Sequence, residues 1–121
     1  RYSAWRAYAQ SKLANLLFAL ELQRRLDRAG AGAIVTAAHP GWTATDLQRT
    51  AGLVRLLNPI FAMTPEAGAL PTLRAATDPA ARGGDYFGPA RFFEMNGPPV
   101  PARISRRARD EDMAARLWQI S

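Results

Sequence analysis

The sequence contains no cysteine and only one histidine among its 121 residues. Without cysteine it can form neither a disulfide nor a cysteine-ligated zinc or iron–sulfur site. The single histidine argues against a histidine-rich metal centre and against a serine–histidine–aspartate triad. Apolar runs such as Leu16–Leu20 are far shorter than the about 20 residues that cross a bilayer, and no signal-peptide segment follows the first residues. We therefore expect a cytoplasmic protein with no metal and no transmembrane segment.

Lysine is also scarce. Of the 16 basic residues 15 are arginine, and Lys12 is the single lysine, against 10 acidic residues and a net charge of +6. Such an excess of positive charge can attract nucleic acid or anionic lipid. The arginines are scattered along the chain, however, and are not interleaved with aromatic residues as in a stacking surface for nucleic acid. We therefore expect a solvated arginine-rich surface and no nucleic-acid partner.

The hydrophobic pattern predicts an α/β fold. Residues from about Tyr8 to Arg28 are good helix formers, and their leucines cover more than one stripe, which predicts a helix buried on two sides, between a sheet and a partner subunit. The apolar segment 33–38 predicts a buried parallel strand that ends at the turn His39-Pro40-Gly41. Gly30-Ala31-Gly32 follows the predicted helix and precedes the predicted strand, the reverse of the order in a dinucleotide-binding loop, so it is not evidence for one.

The rest of the chain continues the alternation of predicted helices and strands. Thr43 or Thr45 could cap a short helix through Leu57, and Thr64-Pro65-Glu66 predicts a helix that stops near residue 78. Residues 85–88 predict a second short strand, which is followed by a proline- and glycine-rich loop through residues 98–101. Residues from about 110 predict a last helix. Two short strands and about four helices correspond to the later part of a doubly wound parallel sheet. Because two strands make a very small sheet, we expect this fold to begin in its middle.

Tyr8 and Lys12 are the candidate catalytic pair. They are four residues apart, so on a helix they share one face and can serve one site. A phenol suits proton exchange with a hydroxyl or carbonyl oxygen, and a positive charge at ~5 Å in an effective dielectric of ~20 stabilises the phenolate by about 3 kcal/mol. Tyr-x-x-x-Lys is common by chance, however, and an ordinary helix surface is the alternative interpretation.

The neighbouring residues resemble a known family, the short-chain dehydrogenases/reductases. The segment from Tyr8 to Phe18, followed by Glu21-Leu22, resembles the active-site helix of that family, and His39-Pro40-Gly41-Trp42-Thr43-Ala44-Thr45 resembles its Pro-Gly turn after the sixth strand. The His-Pro-Gly version is similar to the retinol dehydrogenase and protochlorophyllide reductase branch. Three further segments match that branch in the expected order: Thr64–Ala69, Asp85–Gly88 and Ala115–Trp118.

The resemblance implies a Rossmann-like fold and roles for individual residues. Tyr8 would be the catalytic acid/base, and Lys12 would bind the nicotinamide ribose of NADP or NAD and favour the phenolate. The residues that would line the nicotinamide side of the cofactor are Pro40, Gly41, Thr43 and Thr45. The segment 53–63 occupies the place of the substrate lid, with core or dimer packing as its alternative interpretation; the candidate substrate-binding residues are Trp42, Leu53, Leu56 and Leu57. The substrate would be a small-molecule carbonyl or alcohol, expected to be lipophilic.

Other parts of the family pattern are not found among these residues. The sequence contains no glycine-rich phosphate loop, no Asn-Ala-Gly segment and no catalytic serine at the family's distance before Tyr8. We therefore interpret residues 1–121 as a single C-terminal fragment of such a domain, without the N-terminal cofactor-binding half, and expect it to be inactive by itself. We expect the Tyr8–Arg28 helix to be covered by self-association, which makes a homo-oligomer. A non-catalytic interaction module derived from half of a dehydrogenase is the alternative function.

Overall fold

The computed structural model describes residues 3–41, 64–91 and 96–121. They form two compact units, which we treat separately: a helical unit (Arg1–Ala37, Arg82–Gly84 and Arg103–Ser121) and a sheet unit (Ala38–Ala81 and Asp85–Ala102). The elements in chain order are α1 (Ala4–Arg28), β1 (Ala37–Ala38), α2 (Pro65–Thr77), β2 (Tyr86–Arg91), β3 (Asn96–Pro101), a 3-10 turn (Arg107–Arg109) and α3 (Glu111–Ile120). The α/β class is confirmed.

Helix α1 begins earlier than its apolar pattern predicts, because its cap precedes the leucines. The Ser3 hydroxyl accepts a hydrogen bond from the Arg6 backbone N–H at 3.4 Å and so satisfies one of the unpaired amides of the first turn. At the other end the Ala29 N–H donates to the Arg25 carbonyl, and Gly30 adopts the left-handed φ of 65° that ends many helices. Local capping therefore sets both ends of the helix.

Helix α3 packs against α1 in the helical unit. Its N-cap is Asp110, whose carboxylate accepts from the Met113 N–H at 2.9 Å. This agrees with the predicted helix start near residue 110. Trp118 stacks on Phe18 of α1 with ring centroids 5.0 Å apart, and Leu17 of α1 and Ala114 of α3 are buried. The core of the unit thus depends on a few apolar side chains and one aromatic pair.

A buried amide explains why the predicted strand at 33–38 is mostly not a strand. Gln23 is 7% exposed, and its Oε1 accepts from the Val35 N–H at 2.6 Å. The Val35 carbonyl accepts from the Gly84 N–H at 2.9 Å. Since both backbone groups of Val35 are bonded outside a sheet ladder, only Ala37–Ala38 forms β1. The prediction of a six-residue strand is wrong for this reason.

The sheet unit contains a three-stranded mixed sheet in the order β1–β2–β3. β2 and β3 pair antiparallel, with Phe87 opposite Pro101, Gly88 opposite Val100 and Pro89 opposite Pro99. One correction follows, since residues 98–101 form a strand where a loop was predicted, and this strand adds an antiparallel pair to the predicted strands. Proline is tolerated in β3 because an edge strand of the described sheet needs fewer ladder donors.

Helix α2 confirms the start predicted from Thr64-Pro65-Glu66. The Thr64 hydroxyl accepts from the Ala67 N–H at 3.3 Å, and Pro65 occupies the first helical turn. Arg74 joins the helix to the hairpin, because its guanidinium donates to the Pro99 carbonyl at 2.6 Å and lies 5.2 Å from the Phe87 ring centroid.

The short helix predicted from Thr43 or Thr45 to Leu57 lies outside the described residues.

Candidate functional site

The structure brings Tyr8 and Lys12 together on one face of α1. The Lys12 Nζ lies 5.4 Å from the centroid of the Tyr8 ring, within the range of a cation–π contact. The Tyr8 side chain is 49% exposed and Lys12 is exposed as well. An ammonium beside a solvent-accessible phenol can stabilise the phenolate and still donate hydrogen bonds to a ligand.

Trp5 extends this face by one turn. Its indole stacks on the Tyr8 ring with centroids 6.1 Å apart and an interplanar angle of 24°, and it is 74% exposed. The sequence analysis did not select Trp5, although its i, i+3 spacing from Tyr8 is the signal that could have found it. Ser11 lies between the pair in sequence, but its hydroxyl donates to the Tyr8 carbonyl at 2.7 Å. Its hydrogen is therefore used by the helix backbone.

A groove of about 640 Å³ lies elsewhere on α1. Its lining residues are Arg6, Ala9, Gln10, Leu13, Ala14, Leu17, Arg107, Met113 and Leu117. Leu17 is nine positions from Tyr8 in the sequence, which at about 100° per residue puts the two on opposite faces of the helix. The lining includes neither Tyr8 nor Lys12, although Ala9 and Leu13 follow them directly in the sequence.

The predicted cofactor turn is described as far as Gly41. His39 follows β1, and its backbone N–H donates to the Phe87 carbonyl of β2 at 2.9 Å. Pro40 is exposed, and Gly41 has φ 68°, a conformation in which an L-residue is strained. These residues belong to the sheet unit, whereas Tyr8 and Lys12 belong to the helical unit. The other predicted site residues lie outside the described residues: Trp42, Thr43, Thr45, Leu53, Leu56 and Leu57.

A buried ion cluster lies near the C-terminal end of α1, and the sequence analysis did not predict it. Glu21 is 2% exposed and accepts from the guanidinium groups of Arg24 at 2.9 Å and Arg25 at 2.8 Å. Burial acts to raise the pKa of the Glu21 carboxyl, but the hydrogen bonds and charges of the two arginines outweigh it and hold the pKa below its usual 4.5. Arg25 also lies 4.6 Å from the Trp118 ring, so the cluster is part of the α1–α3 contact.

Within the described parts of the chain, no helix is both long enough and apolar enough to cross a membrane. The segments before and after the gaps contain no group of three or more acidic, histidine or cysteine residues arranged to hold a metal ion.

Several known proteins similar to this chain are named as dehydrogenases. Human retinol dehydrogenase 14 is 37% identical over 94% of the chain, and mouse polyprenol dehydrogenase is 40% identical over 97%. The crystal structure of an uncharacterised protein from Mycobacterium Paratuberculosis matches 99% of the chain with a TM-score of 0.73 and 43% identity. No protein-family model matches the chain.

These matches cover only part of each relative. The chain spans 33% of the retinol dehydrogenase, 34% of the polyprenol dehydrogenase and 38% of the mycobacterial protein. Human retinol dehydrogenases 11 and 12 show the same pattern, at 35% and 36% identity over the whole or nearly the whole chain. The predicted resemblance is thereby confirmed, and the chain is similar to a segment of the retinol dehydrogenases.

Proposed function

We propose that the protein containing this chain is an NAD(P)-dependent oxidoreductase that transfers a hydride between nicotinamide and a carbonyl or alcohol. The observation that carries the proposal is the contact of Lys12 with Tyr8, 5.4 Å from ammonium to ring centroid, in a segment similar to retinol dehydrogenases. Two of the similar proteins are named as dehydrogenases of retinol and of polyprenol, which are both apolar alcohols. These names support a lipophilic substrate for this protein.

The residues present fit the nicotinamide end of such a cofactor. The Lys12 ammonium is exposed and carries three donors, which suits the hydroxyl groups of a ribose. Gly41, with its positive φ and no side chain, allows close approach of a ligand to the backbone. Each of these two features, taken within its own unit, would therefore suit this end of the cofactor.

In carbonyl reduction, a nicotinamide cofactor would supply the hydride that the carbonyl carbon receives. The Tyr8 hydroxyl donates its proton to the carbonyl oxygen, which becomes the alcohol, and a phenolate is left on Tyr8. Lys12 stabilises that phenolate electrostatically until a proton from solvent restores the phenol. In alcohol oxidation the tyrosinate accepts the hydroxyl proton instead, and the same two side chains act in reverse.

Removal of the Tyr8 hydroxyl tests this role in the intact protein that contains the chain. We expect Tyr8→Phe to lower kcat by about 100-fold or more, because general acid–base catalysis contributes about that much, while the cofactor Kd stays within about twofold. Tyr2→Phe removes the same group elsewhere in the chain and serves as the matched control. A Tyr8→Phe variant with near wild-type kcat would refute the proposal.

The 121-residue chain by itself is expected to show no reductase activity. Its sequence contains no glycine-rich loop that opens a helix after a strand, the arrangement that binds the cofactor pyrophosphate. Fluorescence titration of the purified chain with NADPH and NADH checks this, and micromolar binding of either would contradict it.

Cytoplasmic localisation and self-association through α1 stay predictions from composition and helix pattern.

A further inference from the structure

The turn after β1 is held against β2 by more than one backbone hydrogen bond. The His39 N–H donates to the Phe87 carbonyl, which continues the pairing of β1 with β2 beyond Ala38. The imidazole of His39 lies beside the Tyr86 ring, with centroids 5.2 Å apart and planes inclined by 36°. The residue that precedes Pro40 is thus fixed through both its backbone and its ring.

Gly88 provides the space for that ring. A Cβ built on Gly88 would overlap the imidazole of His39, with Nε2 nearest and the ring carbons Cδ2 and Cε1 at 2.6 and 2.8 Å. Gly88 is buried in the middle of β2 and pairs with Val100. Its φ does not lie in the left-handed region, so the backbone conformation there does not require glycine. A glycine at this position therefore leaves room for the His39 ring.

Tyr86 and Gly88 are two positions apart on β2, so they lie on the same face of the strand. The His39 ring therefore contacts a shallow site formed by one aromatic ring and one residue without a side chain. Pro40 follows immediately, and its ring restricts φ to about −65°. Gly41 then turns with φ 68°. The direction of the Pro40–Gly41 turn consequently depends on where His39 is held.

We propose that His39 is a positioning residue, and that its contact with Gly88 orients the Pro40–Gly41 turn toward the nicotinamide end of the cofactor. This inference rests on the proposed function, since it assigns the turn to that ligand. His39 acts through the turn and takes no part in proton transfer. An added methyl group at residue 88 would displace the ring and, with it, the backbone that approaches the ligand.

Gly88→Ala in the intact protein is the first test. We expect the KM and Kd for the nicotinamide cofactor to rise about tenfold or more, with kcat at saturating cofactor within about threefold, because a misplaced binding turn weakens cofactor binding more than chemistry. Gly32→Ala is the matched control, because a Cβ there meets no atom within 4 Å and its φ is not positive. An unchanged cofactor Kd in Gly88→Ala would overturn the inference.

The double variant Gly88→Ala/His39→Ala separates this contact from general damage to the strand. Without the imidazole the added methyl has room, so the effect of Gly88→Ala on cofactor Kd should shrink to about twofold in the His39→Ala background. An equal effect in both backgrounds would mean that residue 88 acts through another neighbour, which overturns the proposal. His39→Ala alone should raise the cofactor Kd about threefold or more, and this result decides the matter if Gly88→Ala fails to fold.

Hydrogen exchange gives a readout that does not need enzyme activity. The His39 amide, bonded to the Phe87 carbonyl, should lose protection in Gly88→Ala and regain it in the double variant. A wild-type protein that binds neither NADPH nor NADH would refute the proposed function. Normal cofactor binding in the wild type, with unaltered exchange and binding in Gly88→Ala, would refute the positioning role alone.

Discussion

The two ends of helix α1 differ in what their polar side chains contact. Toward the C-terminal end Glu21 and Gln23 are buried, and each makes two short hydrogen bonds to neighbouring groups. Toward the N-terminal end Tyr8 and Lys12 are exposed and contact each other at 5.4 Å. One helix therefore carries a polar region that maintains its packing and another that is accessible to a ligand.

This difference has an energetic basis. A polar group removed from water is costly unless it is hydrogen-bonded, so the buried pair must be fully partnered and its loss must destabilise the fold. An exposed pair is hydrated in either state and contributes little to the free energy of unfolding. The exposed pair can consequently be altered for its chemistry without loss of the fold, and the two ends are expected to respond oppositely to substitution.

Gln23→Ala should give the largest loss of stability. Its amide accepts from the Val35 N–H and donates to Asp27 at 2.7 Å, so truncation leaves the Val35 amide without this acceptor and opens a gap beneath the Gly83–Gly84 turn. We expect the free energy of unfolding to fall by about 2–4 kcal/mol, measured by chemical denaturation. Gln10→Ala, at a more exposed position of α1, should change it by less than about 0.5 kcal/mol. Similar effects for both would contradict the comparison.

Glu21→Gln should have the next largest effect, and one that depends on pH. The pKa of the folded carboxyl is depressed, so its stabilising contribution is fully present above about pH 4.5 and is lost as pH falls through the folded pKa. We expect a loss of about 1–3 kcal/mol at pH 7 that shrinks toward acid pH, measured by denaturation at several pH values.

Glu111→Gln, an exposed position in the first turn of α3, is the control for that pH series. The carboxyls of Glu66 and Asp78 also have lowered pKa values, but they titrate in the wild type and in both variants, so the difference isolates Glu21. A difference between wild type and Glu21→Gln that stays constant down to pH 3 would show that the ion cluster has no part in acid unfolding.

Sequence reasoning succeeded where the signal is local. The caps at Thr64 and Asp110 are short-range patterns, and the structure has helices starting at both. It failed where a residue far away in the sequence determines the local structure. The Val35 N–H, for example, donates to the Gln23 side chain and not to a neighbouring strand. The prolines of residues 98–101 likewise favour a loop in the sequence. The pairing of this segment with β2 is visible only in three dimensions. The Tyr8–Lys12 pair was predictable from helical spacing, whereas the contact of His39 with Gly88 joins residues far apart in the sequence.

Lys12→Arg should have the smallest effect on stability and a clear effect on function. Arginine retains the positive charge and is a good helix former, so the free energy of unfolding should stay within about 0.5 kcal/mol of the wild type. A planar guanidinium cannot reproduce a compact ammonium beside the phenol, so under the proposed function both kcat and cofactor affinity should fall about tenfold or more. Arg28→Lys, the reverse exchange at the exposed end of the same helix, should alter neither quantity. If Lys12→Arg instead destabilised the protein as much as Gln23→Ala, the N-terminal pair would belong to the packing of the helix, and the distinction between its two ends would fail.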